Sequence, residues 1–130
     1  MELKGKVISG LGNASFWVEK ASKVFEKKYG MKLFLGTLNV ELEEPYKLNS
    51  EEKILPDEYG GEYVVLVKKV LLFENEVYIL RPEINNAEGG HHPLNIIEVV
   101  SDINLREKYY LQDGDEVSII ESDINCKNND

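Results

Sequence analysis

Several features that would point to a common functional class are absent from this sequence. Its 130 residues include a single cysteine, Cys126, so an intramolecular disulfide cannot form. There is no run of roughly 20 apolar residues that could cross a bilayer, and the N-terminus lacks the apolar segment of a signal peptide. We therefore expect a soluble, cytoplasmic protein without a membrane partner.

Positive charge is also scarce. The 15 Lys and Arg residues are outnumbered by 24 Asp and Glu residues, which gives a formal net charge of −9. Because binding to a phosphate backbone requires a positive field, this balance argues against nucleic acid as a partner. A nucleotide is a different case, since backbone amides, a few local cations and a divalent metal can neutralise its phosphates. Any such site must be local.

Short apolar segments separated by turn residues predict a mainly β fold. The length fits one compact domain, which we expect to be a monomer spanning residues 1–121, with a disordered tail at 122–130. Apolar patterns predict strands at 3–9, 33–42, 77–81 and 96–100, and one long or two broken strands at 63–67 and 70–73. They also predict a tight hairpin turn at 74–76, and a turn with a final strand within 111–120.

One main helix is predicted at 14–29 from apolar residues spaced three and four apart, and a short helix at 104–110 before the last strand. Residues 43–61 and 83–93 have little periodicity and are interpreted as long surface loops. Because repeated crossover helices are missing, we expect a small closed barrel and not a doubly wound parallel sheet.

A glycine-bearing turn, Ser-Gly-Leu-Gly-Asn-Ala-Ser at 9–15, joins the first strand to the main helix. Its amides and the positive end of the helix could together hold phosphate oxygens. An ordinary strand-to-helix turn explains the same residues. The turn is not a P-loop, because the Gly-Lys-Ser/Thr end is absent.

Thr37 and Asn39 stand two residues apart in the predicted strand at 33–42, directly after Gly36. Residues i and i+2 share a face of a strand, so their two neutral oxygens would converge. Such oxygens suit a hard cation that carries phosphates. The simpler interpretation is a strand with a polar face, and the pair gains weight only from other motifs.

Other polar residues are ambiguous by themselves. Arg106 could meet a phosphate or pair with a nearby carboxylate. Glu98 interrupts the apolar run at 96–100, where it could orient or deprotonate a substrate hydroxyl, although exposure to water is the default interpretation. His91 and His92 are adjacent in a loop and lack the partners of a zinc site.

Taken together and in order, these motifs resemble the archaeal CTP-dependent riboflavin kinases. The resemblance covers nearly the whole chain. It rests on Ser-Gly-Leu-Gly at 9–12, Gly-Thr-Leu-Asn at 36–39, Ile-Ile-Glu at 96–98, and Leu-Arg-Glu followed by Leu-x-Asp-Gly-Asp-x-Val within 105–117.

This resemblance implies a Greek-key barrel of the cradle-loop type that transfers the γ-phosphoryl group of CTP to the 5′-hydroxyl of riboflavin, giving FMN and CDP. It implies that Thr37 and Asn39 bind Mg²⁺ or another divalent cation, and that Glu98 contacts the flavin near the attacking hydroxyl. The residues implied for the nucleotide are Gly10, Leu11, Gly12, Asn13, Ala14, Ser15, Ile103, Asn104, Leu105 and Arg106.

The chain departs from the family pattern in two places. Ala14 and Ser15 stand where the first loop often carries a further glycine and a basic residue, and Gly90 stands where a hydroxyl contacts the flavin phosphate. Backbone amides would have to supply those contacts. The alternatives are a non-catalytic flavin- or nucleotide-binding barrel, a regulatory binding module, or a degenerate kinase that keeps its flavin site as a sensor.

Overall fold

The computed structural model describes residues 2–9, 14–34, 36–86 and 93–121, and of residues 14–18 the backbone only. Within these ranges one antiparallel sheet contains seven strands: β1 (Glu2–Ile8), β2 (Leu38–Leu42), β3 (Glu52–Ile54), β4 (Val65–Leu72), β5 (Asn75–Pro82), β6 (Ile96–Val100) and β7 (Glu116–Glu121). The helices are α1 (Ala14–Tyr29), α2 (Pro56–Tyr59) and α3 (Leu105–Tyr109), with a 3₁₀ turn at Glu83–Asn86.

The sheet closes into a barrel. Its strand order is β3-β4-β5-β6-β2-β1-β7, and β4 pairs with β7 as well as with β3. Strand β7 returns beside β4 after the consecutive strands β4, β5 and β6, which is a Greek-key arrangement. Closure also pairs β1 with β7, so that Glu2 lies opposite Ile120. The predicted closed barrel is confirmed, and no described helix is long and apolar enough to span a membrane.

Two apolar clusters lie on opposite faces of this sheet. The barrel interior contains residues such as Val7, Val40 and Ile97. The second cluster lies between α1 and the outer face of the sheet, where Phe25 packs with side chains including Leu80. Strands β4, β5 and β6 are therefore largely apolar on both faces, which explains their nearly continuous hydrophobic runs.

Helix α1 has the predicted bounds. It ends before Gly30, whose φ of 75° and N–H bond to the carbonyl of Glu26 form a left-handed C-cap. Since the helix follows β1 after a short connection, its N-terminus lies near the end of that strand. Asn39 and Glu98, discussed below, lie on the face of the sheet that α1 covers.

Three local predictions were wrong. The strand predicted at 33–42 begins only at Leu38, because Leu33 packs into the cluster under α1 and the N–H of Phe34 bonds to the carbonyl of Ser101 instead of a strand partner. The predicted loop at 43–61 contains β3 and α2. The hairpin between β4 and β5 turns at Phe73 and Glu74, both with positive φ, one residue earlier than expected.

Candidate functional site

The site centres on a cross-strand pair. Asn39 of β2 lies opposite Glu98 of β6 in the antiparallel register, so their side chains share one face of the sheet. Leu80 of β5 faces Glu98 from the other side and belongs to the cluster under α1. Asn39 also pairs with Ile8 at the end of β1. Strand pairing thus brings Asn39, the predicted metal ligand, close to Glu98, the predicted base, and to Ile8, just before the glycine turn.

Thr37 lies just before β2 but still approaches Asn39. The Nδ2 group of Asn39 donates to Oγ1 of Thr37 over 3.4 Å. Asn39 is 6% exposed and Thr37 is half-buried. The side-chain amide oxygen of Asn39 takes part in no hydrogen bond with any described residue. The expectation that both residues lie on one strand was wrong, but the convergence of their polar groups is confirmed.

Glu98 is half-buried and not simply exposed to water. Burial raises the pKa of its carboxyl group to about 7, and the positive charge of Arg81 opposes that rise. Among the described residues no hydrogen bond compensates its desolvation. A carboxyl group in this condition is evenly divided between its two forms near neutral pH, which suits a general base.

Residues 104–106 at the start of α3 have different roles in the fold. Leu105 is buried in the barrel cluster, and the Asn104 side chain caps α3 by accepting the N–H of Glu107. Arg106 donates through Nη2 to the carbonyl of Ile8 at 3.1 Å and pairs with Asp113 at 2.5 Å. The carboxylate partner considered for Arg106 therefore exists, and it holds the guanidinium beside the end of β1.

Asp113 joins three parts of the chain. Its second oxygen accepts the Ser9 hydroxyl at 2.5 Å, directly before the glycine turn. The bonds from Ser9 and Arg106 hold the pKa of this exposed carboxyl below its usual value. The following Gly114 has a φ of 94°, as the predicted turn requires. Asp113 thus links β1, α3 and the turn before β7.

A cavity of about 200 Å³ brings Thr37 together with residues 103–106, the second of the two segments predicted for the nucleotide. Its lining comes from the segment before β2, the end of β6 and the start of α3. These residues are Phe34, Gly36, Thr37, Leu38, Val99, Ser101, Ile103, Asn104, Leu105 and Arg106.

Several predicted residues are outside this description. Gly10, Leu11, Gly12 and Asn13 lie outside the described residues, as do Gly90, His91 and His92 and the predicted tail at 122–130. Ala14 and Ser15 form the first turn of α1. The proposed phosphate contacts of the glycine turn remain predictions.

Sequence reasoning missed Arg81. This residue is 3% exposed inside the barrel, where Nη1 donates to the Tyr46 carbonyl and, at 2.9 Å, to Oδ1 of Asn86. Its Nη2 donates to the carbonyls of Leu94 and Ile96 at 3.0 and 3.2 Å. The only signal in the sequence was an arginine at the end of an apolar strand. Phe34 and Asp113 were missed as well, because each depends on tertiary contacts.

The closed barrel thus brings together the polar side chains of Thr37 and Asn39, a carboxyl group of raised pKa at Glu98, and an arginine, Arg106, beside the end of β1. The chain belongs to the family of CTP-dependent riboflavin kinases, whose model, described as "Domain of unknown function DUF120", matches residues 7–120. The resemblance seen in the sequence is confirmed.

Individual relatives agree with this membership. The chain is 35% identical over 123 residues to the riboflavin kinase of Staphylothermus marinus, covering 92% of this chain and 91% of that protein. It is 31% identical over 128 residues to the riboflavin kinase of Pyrobaculum arsenaticum, covering 92% and 60%. It is 32% identical over 137 residues to the riboflavin kinase of Methanococcoides burtonii, and the match covers 95% of this chain and 58% of that protein. The chain thus spans under two thirds of the length of these last two relatives.

Proposed function

We propose that this protein is a riboflavin kinase that transfers the γ-phosphoryl group of CTP to the 5′-hydroxyl of riboflavin, giving FMN and CDP. The observation that carries the proposal is the pairing of Asn39 with Glu98 across two strands, with Thr37 beside them. The names of the relatives support riboflavin as the acceptor. The family name supports CTP as the donor.

Glu98 is the proposed base. Its pKa of about 7 lets the carboxylate accept the proton of the 5′-hydroxyl under neutral conditions. The riboflavin oxygen then forms a bond to the γ-phosphorus while the bond from that phosphorus to the bridging oxygen breaks, and CDP leaves. In such transfers the protein mostly positions and neutralises its reactants, so a dense cluster of cationic side chains is not required.

Thr37 and Asn39 would hold Mg²⁺ or another divalent cation. Their polar groups lie 3.4 Å apart, and turning the Asn39 amide over would direct its oxygen to the same point as the Thr37 hydroxyl. Two neutral oxygens with waters and phosphate oxygens form a suitable shell for Mg²⁺. When bound, the cation neutralises charge on the transferring phosphate.

The nucleotide would lie across the 200 Å³ cavity beside Thr37. Arg106 offers the positive charge of this cavity, and its guanidinium is already directed by Asp113 and by the carbonyl of Ile8. We expect the backbone amides of residues 10–15 to supply further phosphate contacts at the start of α1. This arrangement explains how a strongly acidic chain can bind a triphosphate.

The central experiment supplies purified protein with riboflavin, Mg²⁺ and each nucleoside triphosphate in turn, and measures FMN. We expect FMN with CTP in preference to the other donors. If riboflavin and CTP bind but no donor yields FMN, the kinase proposal is wrong and the non-catalytic binding barrel takes its place. FMN formed from purine donors with no preference for CTP would contradict only the choice of donor.

The metal ligands can be tested separately. Thr37→Ala and Asn39→Ala should each lower turnover by about a hundredfold, because displaced phosphates no longer reach productive geometry. Both variants should require more Mg²⁺ for half-maximal activity, while their thermal unfolding stays close to that of the wild type. Asn49→Ala, an exposed asparagine outside the site, is the matched control. Wild-type turnover in both variants would remove Thr37 and Asn39 from the metal site.

A further inference from the structure

The cavity beside Thr37 is bordered by two exposed apolar side chains, Ile103, which the family resemblance already assigns to the nucleotide, and Phe34, which has no role so far. Phe34 and Ile103 are 41% and 38% exposed, although most large apolar residues described in this protein are buried. Both belong to the lining that also contains Thr37 and Arg106. Exposed apolar side chains next to a polar site are suited to the flat part of a ligand.

The backbone around Phe34 is fixed on both sides. Its N–H donates to the carbonyl of Ser101 at 2.8 Å, which ties it to the end of β6. Its own carbonyl accepts the N–H of Gly36 at 2.9 Å. The preceding Leu33 is buried in the cluster under α1. An aromatic side chain held this way loses little further freedom when a ligand binds, so its contact area yields more affinity.

The ring of Phe34 lies over Gly36, immediately before the proposed metal ligand. A Cβ atom at Gly36 would lie 3.2 Å from Cε2 of that ring, which is closer than ordinary packing allows. A side chain at residue 36 would therefore push the ring out of place. The glycine therefore leaves room for an aromatic ring in the same cavity lining as Thr37.

The ring of Phe34 stacks on no other aromatic ring among the described side chains. Phe25, in contrast, packs against Tyr29 and Tyr78, and Phe73 packs against Tyr109. Those contacts explain the two other rings as parts of the fold. Phe34 is both exposed and without such a contact, so its surface is available to a ligand.

We propose that Phe34, together with Ile103, forms the platform on which the nucleobase of the phosphate donor stacks. This inference rests on the proposed function and specifies how that site holds its donor. The 200 Å³ cavity is smaller than the roughly 300–1,000 Å³ of pockets that enclose whole drug-sized ligands, so it would take one part of a nucleotide. With the base at Phe34, the phosphates would extend toward Thr37 and Arg106.

Stacking contributes affinity without reading the identity of the base, because every base has a π-face. Phe34 should therefore strengthen binding of all nucleotides that enter the site. Selection of one base over another would come from hydrogen bonds to its edge. This separation leads to an experiment that compares ligands with and without a base.

The test measures binding of CDP and of inorganic tripolyphosphate by calorimetry, in the absence of riboflavin, for the wild type, Phe34→Ala and Phe34→Trp. We expect Phe34→Ala to raise the dissociation constant of CDP about tenfold or more, the usual range for loss of one stacked base. The constant for tripolyphosphate, which lacks a base, should not change. Phe34→Trp should bind CDP at least as well as the wild type.

Leu55→Ala is the matched control, since Leu55 is 48% exposed and does not line the cavity. An unchanged CDP constant in Phe34→Ala would overturn the proposal. So would an equal loss for CDP and tripolyphosphate, which would indicate a displaced phosphate site. Because no turnover is measured, these results are independent of FMN formation. Absence of FMN with all donors would contradict the kinase proposal alone.

Discussion

Two charged residues, the buried Arg81 and the half-buried Glu98, lie on opposite faces of the same sheet and differ in how many hydrogen bonds their charged groups make. Arg81 lies inside the barrel and donates four hydrogen bonds to fixed oxygens. Glu98 lies on the face toward α1 and has no hydrogen bond among the described residues. The comparison teaches that a charged group with several hydrogen bonds to fixed protein atoms stabilises the fold, whereas a desolvated charged group without such bonds is a candidate for proton transfer.

The difference follows from local geometry. The planar guanidinium of Arg81 presents several donors in directions that match the carbonyls of Leu94 and Ile96. Burial lowers the pKa of this guanidinium, and the neighbouring Tyr46 and Glu98 oppose that change. The carboxylate of Glu98 has only the distant charge of Arg81 to offset its desolvation. Its pKa therefore moves to the range where protons are exchanged.

The largest effect should come from removing the satisfied charge. Arg81→Met keeps similar volume but removes four hydrogen bonds inside the barrel, and we expect the free energy of unfolding to fall by about 3 kcal/mol. Urea denaturation measures this change. Lys69→Met, at an exposed lysine that pairs with Glu76 at 3.8 Å, is the control and should change stability by roughly 0.5 kcal/mol or less. A loss below about 1 kcal/mol for Arg81→Met would contradict the conclusion that Arg81 stabilises the fold.

Removing the unsatisfied charge should lower turnover while the protein stays folded. Glu98→Gln should reduce kcat by about a hundredfold or more, the usual contribution of a positioned general base. For the wild type, kcat/KM should rise as the pH increases through about 7, because the base is active only when ionised. The rise should be absent in Glu98→Gln.

Glu41→Gln, on the exposed side of β2, is the control for loss of a strand carboxylate and should keep the wild-type profile. If Glu98→Gln changes only the KM for riboflavin, Glu98 binds the flavin without acting as a base.

Glu98 should also reveal itself in the dependence of stability on pH. Its carboxyl titrates near 4.5 when unfolded and near 7 when folded, so between these values the folded state binds more protons. The contribution of Glu98 to stability is therefore fully present below pH 4.5 and is lost as the pH rises through about 7. Subtracting the unfolding free energies of Glu98→Gln isolates this loss, which we expect to reach about 2 kcal/mol by pH 8. A difference that is constant over this range would show that burial does not disfavour the ionised form.

The smallest effect is expected at Asp113, whose bonds are exposed. Asp113→Asn weakens the hold on Arg106, so affinity for CDP should fall a few-fold, and less at high salt where exposed charges are screened. Binding at low and high ionic strength measures this change. Asp115→Asn changes a carboxylate in the same turn that accepts the N–H of Gln112 and does not contact Arg106, and is the control. An equal effect of both variants would assign the loss to the turn itself.

Much of the fold could be predicted because its signals are local. Helix α1 and strand β6 have the predicted bounds, since an apolar spacing of three and four and an uninterrupted apolar run are properties of adjacent residues. The prediction that β2 begins at Leu33 failed for the opposite reason, as Leu33 and Phe34 show. Their conformation depends on Leu33 packing under α1 and on Phe34 bonding to Ser101, neither of which an apolar run can indicate.

The arrangement of the site was even harder to predict from the sequence than the fold. Thr37, Asn39, Glu98 and Arg106 could each be selected from the sequence, and family resemblance supplied their roles. Their proximity depends on strand register, which no local pattern contains. Arg81 could not be predicted, because its role exists only where its guanidinium meets four acceptors from distant segments.

The pairing of β1 with β7 has a consequence for how the chain folds. Glu2 meets Ile120, and β7 also completes the barrel against β4. These contacts join residues far apart in sequence, so the chain must close its longest loop before closure stabilises the barrel. Folding on the order of milliseconds to seconds is typical of such topologies. Arg106 contacts the Ile8 carbonyl, 98 residues away in the sequence, only after the two ends of the chain have come together, so we expect nucleotide binding to be acquired late, when the final strand docks beside β1.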